Sequence, residues 1–356
     1  MAITYQAGRR IQATSTDFGT AGAGIPGVSG GWKELGRTTL GSSGDSIDVS
    51  SLADKRYLMF LLDSRSNGTA ISTTWKANGS TGNEYSFRRN HDGTETDANT
   101  QPSAATSWTS IVTNAFGVGY AANKSGKEKL FLEHEVYQNT AGAGTSTTRT
   151  ENAFKWTGTD VIDQLTMHNS SSGDIVSGSE LVVLGWDPAD THTANFWEEL
   201  ASVEYSGGTA LTSGTIPAKK YLWVQAYLKI ASGTVDSNLW RFNADTGNNY
   251  AARYSRDGAT DPTPNASISH MNINFGAGTR NNQLINMFII NNSANEKLVT
   301  GSGISQGASG AGTAPNRLEF SPKWANTSSQ ITSIQCTQGN SLNFEAGTIM
   351  KVWGSD

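Results

Sequence analysis

Apolar residues occur along this chain in short runs, never in a helical stripe. Tyr57–Leu62 (YLMFLL), Tyr221–Ile230 (YLWVQAYLKI), Lys129–Val136 (KLFLEHEV) and Gln283–Ile290 (QLINMFII) are rich in aromatic and aliphatic residues. Polar, glycine-containing segments separate them. Runs of this length and composition predict central strands of a sandwich. Asn67-Gly68-Thr69 and Ser232-Gly233-Thr234 predict tight turns, because glycine readily takes the positive φ a reversal needs.

The pattern is written twice. Trp75 to Gly93 (WKANGSTGNEYSFRRNHDG) and Trp240 to Gly258 (WRFNADTGNNYAARYSRDG) align without a gap at an offset of 165, with nine identities in nineteen positions. Trp, Asn, Thr-Gly-Asn, Tyr, Arg and Asp-Gly recur in register. Tyr85 and Arg88 are three apart, as are Tyr250 and Arg253, so on a strand they point to opposite faces. The expectation is a buried ring and an exposed guanidinium. Further on, Gly142-Ala143-Gly144-Thr145 matches Gly310-Ala311-Gly312-Thr313 at offset 168, and GSELVVLGWD (178–187) matches GTIMKVWGSD (347–356) at offset 169. Between these anchors KLFLEHEV is set against QLINMFII. Residues 94–126 and 259–282 diverge most and read as loops with about one strand each. ANFWEELASV (194–203) has length for a turn of helix, but its counterpart GGWKELGRTT is flanked by glycine, so both read as strand or turn.

The predicted fold is all-β: two tandem, duplicated β-sandwich (jelly-roll-like) domains of about eight strands each. An N-terminal extended arm (1–31) precedes the first copy (32–187), and a linker (188–196) leads to the second (197–356). Length agrees, since 356 residues exceed one hydrophobic core. Charged residues are only 16% of the chain, but ten Trp, ten Tyr and twelve Phe supply apolar area, so the composition is not that of a disordered chain. A net charge of −5 with no basic block argues against nucleic acid. No stretch has the length of a signal peptide's apolar core or a membrane helix, so no membrane partner is expected.

No catalytic, cofactor-binding or metal-binding residue is predicted, and the chain is not read as an enzyme. His91, His134, His168, His192 and His270 lack partners at zinc or triad spacing, and no nucleophile elbow or phosphate-loop pattern occurs. Cys336, the single cysteine, sits in a strand-like setting and is expected to be buried and inert. Glu133 and Glu135 share one strand face, without a counterpart in the second copy. Asp92-Gly93 and Asp257-Gly258 lack the acidic ladder of a calcium loop and read as β-turns. The shared aromatics Trp32/Trp197, Trp75/Trp240, Tyr85/Tyr250 and Trp156/Trp324 read as core; the competing reading is a sugar-stacking platform. Arg149/Glu151 and Arg317/Glu319 fit an ion pair within a strand or across a boundary, or solvated surface pairs. Asn-x-Ser/Thr triplets at Asn67, Asn78, Asn123, Asn169, Asn265 and Asn326 follow from composition.

The segments MAITYQAGRRIQ, WKELGRTTL…GDSIDVSSLADKRYL and NFEAGTIMKVWGSD resemble a family of virion structural proteins of marine tailed phages and related environmental viruses. That resemblance implies a capsid shell, capsid decoration or tail-fibre component, assembled in the host cytoplasm and released by lysis. The expected partners are other virion proteins and further copies of the chain. A homotrimer is favoured, because three two-domain chains would arrange six similar domains about a three-fold axis. The alternative is a glycan-binding adhesin or receptor-binding module, reading its ligand through the divergent segments.

Overall fold

The structure, a computed structural model, describes residues 31–106, 113–188, 190, 195–230, 237–259, 261–262, 265–275, 282–306, 310–339 and 343–356. The expected arm therefore lies outside the described residues except for Gly31, as does most of the expected linker.

The first unit opens with β1 (Lys33–Thr39), β2 (Ser46–Ser50), β3 (Tyr57–Arg65) and β4 (Thr73–Ala77). It continues through β5 (Tyr85–His91), β6 (Thr94–Gln101), β7 (Ala104–Ala105) and β8 (Asn114–Ala122). β9 (Lys129–Gln138), β10 (Thr148–Trp156), β11 (Gln164–Asn169) and β12 (Glu180–Trp186) complete it. The second unit repeats the series as β13 (Glu198–Glu204), β14 (Ala210–Thr212), β15 (Tyr221–Lys229) and β16 (Ser237–Phe242). Then come β17 (Tyr250–Arg256), β18 (Asn265–Ile268), β19 (Met271–Asn274) and β20 (Asn282–Ile290). β21 (Lys297–Ser305), β22 (Asn316–Trp324), β23 (Ile334–Gln338) and β24 (Ile349–Ser355) end it.

In the first unit an eight-stranded sheet, β1-β12-β3-β8-β9-β10-β5-β6, covers a four-stranded one, β2-β11-β4-β7. The second unit has the same two sheets in the same order, β13-β24-β15-β20-β21-β22-β17-β18 and β14-β23-β16-β19. The molecule is thus two tandem β-sandwiches with the nested antiparallel winding of a jelly roll. Each has twelve strands, more than the eight or so expected. The surplus lies where polar sequence reads as loop: β6, β7 and β8 fall within 94–126, and β18 and β19 within 259–282.

One register expectation is corrected. β8 is the equivalent of β20 and β9 of β21, both at offset 168, so KLFLEHEV corresponds to KLVTGSGI (297–304) rather than to QLINMFII. Glu133 and Glu135 are matched by Gly301 and Gly303, and His134 by Ser302. The lack of a second carboxylate pair holds in the corrected register.

The repeated segment ties each sandwich shut. Trp75, Tyr85 and Trp156 are buried in one core and Trp240, Tyr250 and Trp324 in the other. Burying such rings is worth about 2–3 kcal/mol each. The Tyr85 hydroxyl accepts the Ala77 N–H (2.7 Å), as Tyr250 accepts that of Phe242 (2.9 Å). Trp156 donates to Glu84 (2.9 Å) and Trp324 to Asp245 (2.7 Å). Asp92-Gly93 and Asp257-Gly258 have positive φ at both positions (49° and 87°; 54° and 73°), the type I′ geometry that Asp-Gly favours. Each turn Asp also accepts a backbone N–H from the neighbouring strand, Asp92 from Arg149 (2.9 Å) and Asp257 from Arg317 (2.7 Å).

A third apolar cluster lies between the sandwiches. β3 explains why it exists. Leu58, Phe60 and Leu62 point into the first core, while Met59 and Leu61 on the other face pack against the second unit. A strand buried on both faces needs an unbroken apolar run, which is what YLMFLL supplies.

Candidate functional site: the outer faces of the large sheets

Each large sheet turns one face to its own core and the other outward. On that outer face, the near half lies at the start of β3 or β15 and the far half at its end. Within the chain, the far half of unit one (Leu61, Phe116, Val136, Val182) packs on the near half of unit two (Tyr221, Phe288, Ile290, Leu298). The Phe116 and Tyr221 rings stack at 6.3 Å.

Polar ties border this contact. Arg149, buried, forms ion pairs with Glu151 of its own strand and with Asp261 of the second unit (2.7 Å). Arg253 bonds Asp92 across the boundary (3.1 Å). The Lys323 ammonium, buried with Glu296 (3.2 Å), donates to the Thr140 carbonyl (2.9 Å). Beside it the Gly142 N–H donates to Glu296, so the first GAGT loop is an interface element. On the opposite border Lys220 meets Glu180 (2.9 Å) and Asp63 (3.4 Å), and the Tyr221 hydroxyl donates to Glu180 (2.8 Å). Glu180 is held below the usual carboxylate range: burial pushes it up, but the hydrogen bonds from Thr39, Lys220 and Tyr221 and the Lys220 charge together outweigh that.

Two halves remain uncovered by the described residues. On unit one the near half forms a groove of about 820 Å³. Leu130 and Leu132 stand 61% and 59% exposed in it. Tyr57 stacks on Trp186 (5.2 Å) and Trp32 lies against Tyr120 (6.2 Å). Arg88 and Asp97, 3.6 Å apart, and Lys155 line it with charge. On unit two the far half exposes Tyr227, Leu284 and Ile304. Leucines at this exposure beside ring faces form a surface for apolar docking rather than for bond-making.

The residues singled out in the sequence fall elsewhere. Glu133 and Glu135 do share a face, but it is the inward one. Trp75 (2.9 Å) and Asn152 (3.1 Å) donate to Glu133, and Thr73 donates to Glu135 (3.2 Å). Burial pushes Glu135 up to about 7; burial and then its neighbour's charge raise Glu133. Cys336 is buried in the second core, and burial pushes its thiol up. His91 lies between Tyr137 (3.3 Å) and Thr150 (3.5 Å), and burial lowers its pKa. His134 borders the crease between the units, and His192 lies outside the described residues. Arg88 is exposed as its spacing predicts, whereas Arg253 is taken into the interface. Asn78 and Asn123 spend their amides on internal backbone groups. Among the described residues no group of His, Cys, Asp or Glu is placed to hold a metal ion.

Leu130 and Leu132 were not singled out by sequence reasoning. Simple alternation along KLFLEHEV makes the glutamates the outward set, and only the structure shows the leucines there.

No family model matches the chain, and no curated protein does. Among solved structures it is similar to domains LG4-5 of the mouse laminin alpha1 chain, at 11% identity and a TM-score of 0.20, covering 98% of this chain and 93% of that one. It is also similar to the LG1-3 region of the laminin alpha2 chain, at 8% identity and a TM-score of 0.20, covering 87% and 68%. Likeness at this level carries nothing about activity, and the description of the fold stands on the strand topology alone.

Proposed function

We propose that this chain is a structural subunit that works by self-assembly, without catalysis, as a virion component: capsid shell, capsid decoration or tail fibre. The observation that carries this reading is the uncovered near half of unit one, where Leu130 and Leu132 face solvent beside Tyr57 and Tyr120. An apolar surface of this kind on a chain of low charge is kept for a macromolecular partner. The sequence resemblance to virion structural proteins supports the choice of particle. Light scattering of the purified chain over a dilution series, with negative-stain microscopy, tests the proposal. The expected result is a concentration-dependent mass above the monomer, and a monomer at every concentration would sink it.

A glycan-binding module is the second reading, favoured by the Tyr57–Trp186 stack beside Arg88 and Asp97 in the groove. Against it, the two leucines give a sugar hydroxyl nothing to bond, and the repeated Trp75, Trp240, Tyr85 and Tyr250 are buried. A glycan array decides: hits abolished by Tyr57→Ala would support this reading over the first.

A further inference from the structure

We infer that a second copy of this chain docks the far half of its second unit on the near half of the first, repeating between chains the contact each chain makes within itself. This rests on the self-assembly reading and goes further by naming both surfaces and their pairing.

The open halves carry residues at positions equivalent to those of the buried halves. The surface that unit two buries internally through Tyr221, Phe288 and Leu298 is carried by unit one as Tyr57, Tyr120 and Leu130, all of them exposed. The surface that unit one buries through Phe116 and Val136 is carried by unit two as Leu284 and Ile304, again exposed. Each chain therefore has one used pair of complementary halves and one unused pair.

The polar borders repeat too. Inside the chain, Arg253 with Asp261 3.9 Å away faces Asp92 and Arg149. Unit one has a pair of the same charges in Arg88, at the position of Arg253, and Asp97, 3.6 Å away on β6 where Asp261 lies ahead of β18. Unit two carries the second pair again as Asp257 and Arg317. Arg88, Asp97 and Arg317 are 71%, 62% and 62% exposed, so their charges are free to meet across a new contact as Arg253–Asp92 and Arg149–Asp261 do.

The loop and its receptor are likewise duplicated. Lys323–Glu296, which receive the first GAGT loop, recur as the exposed pair Lys155–Glu128 (3.0 Å). The second GAGT loop, Gly310–Thr313, is exposed, and Gly310 has the same positive φ (82°) as Gly142 (84°). Selection for folding of a single unit does not account for an interface loop, its receptor and two border pairs repeated on surfaces left open.

One corner is not repeated. Asp63 and Glu180, which bind Lys220, are replaced in unit two by Tyr227 and Ile349. The contact between chains thus lacks one ionic border and is weaker than the contact within. It is a heterologous contact, which closes into a ring or continues as a filament according to the rotation per step. A trimer is one closed form.

The test uses two full-length variants. Leu130→Glu with Leu132→Glu breaks the near face of unit one, and Leu284→Glu with Ile304→Glu breaks the far face of unit two. All four positions are exposed, and circular dichroism checks that both variants fold. Analytical ultracentrifugation should find each variant monomeric alone and an equimolar mixture at twice the monomer mass, because the mixture retains one intact pair of faces. In an otherwise unchanged chain, Asp97→Arg or Arg317→Glu alone should weaken association by about tenfold, and the two together should restore most of it. A far-face variant that assembles like wild type, or a mixture that stays monomeric while wild type assembles, overturns the head-to-tail contact and leaves self-assembly standing. A monomeric wild type overturns both.

Discussion

The two cores solve one packing problem in opposite ways. In unit one, β8 presents Gly117 and Gly119 opposite Glu135 and Glu133 of β9. At the equivalent pairs of unit two, β20 presents Ile285 and Met287 opposite Gly303 and Gly301 of β21. Large and small have changed strands at the same cross-strand pairs. The exchange also changes the chemistry. Trp75 donates to Glu133, whereas the indole N–H of Trp240 has no hydrogen-bond partner among the described residues. The buried polar cluster of unit two is made of neutral amides, with Asn238 bonded to Gln283 and to Gln338. A duplicated fold therefore constrains strand order and register more tightly than it constrains any one residue.

The sharpest way to break the likeness is at the interface, where equivalent arginines have unequal surroundings. Arg149→Ala leaves the buried Asp261 with only the longer contact to Arg253 (3.9 Å) and should cost about 3 kcal/mol. Arg317→Ala removes an exposed partner of Glu319 and should cost at most about 1 kcal/mol in the unassembled chain. Urea unfolding of both variants checks the pair, and equal costs would show that the burial difference does not matter.

Next comes the exchanged glycine. A Cβ on Gly119 would sit 1.9 Å from the Phe60 ring, so Gly119→Ala should destabilise unit one by about 1–3 kcal/mol. The equivalent of Phe60 is Val224, and adding Phe60→Val should recover part of that loss. Thermal unfolding of the single and double variants measures the recovery, and strict additivity would mean the two residues do not compete for the same space.

A smaller contrast separates the two buried tryptophans. Both Trp75→Phe and Trp240→Phe lose volume, but only the first leaves a carboxylate short of a donor. Trp75→Phe should cost about 1–2 kcal/mol more, read as a difference in denaturation midpoints.

The last contrast is in pH. Glu135 is raised to about 7 in the folded chain against 4.5 unfolded. The folded state thus holds the proton more tightly. Stability from this group is full below pH 4.5 and is lost as pH rises toward 7, with no further change above. Glu319, raised to about 7 first by burial and then by the Glu151 charge, adds a slope of the same sign. Glu135→Gln should therefore flatten the fall in melting temperature over that window without abolishing it.

Much of this fold was legible because its framework is local. Trp75 and Trp240, the Asp-Gly turns and the paired tyrosines recur at fixed spacing, and their burial needs no knowledge of distant partners. β8 was not legible. Its sequence, NAFGVGYAA, carries glycines that lower strand propensity, and those glycines exist to clear Phe60 and Glu133 on other strands. With β8 hidden, the next strand-like run of the first copy, KLFLEHEV, aligns with QLINMFII, one strand out of place. The exposed near half was hidden for a related reason. Whether Leu130 faces water or a second sheet depends on where the other unit stops, which neither periodicity nor composition encodes.

The edge of each large sheet has a consequence of its own. Lys33 at the start of β1 lies opposite Gly185 near the end of β12, and Glu198 lies opposite Gly354 in the same way. A unit enters and leaves through neighbouring strands, so it can be copied in series without threading any segment through a sheet. The connection between copies then serves as a tether. It holds each unit in the other's presence at an effective concentration on the order of millimolar, even where the same contact between free units would be dilute and transient.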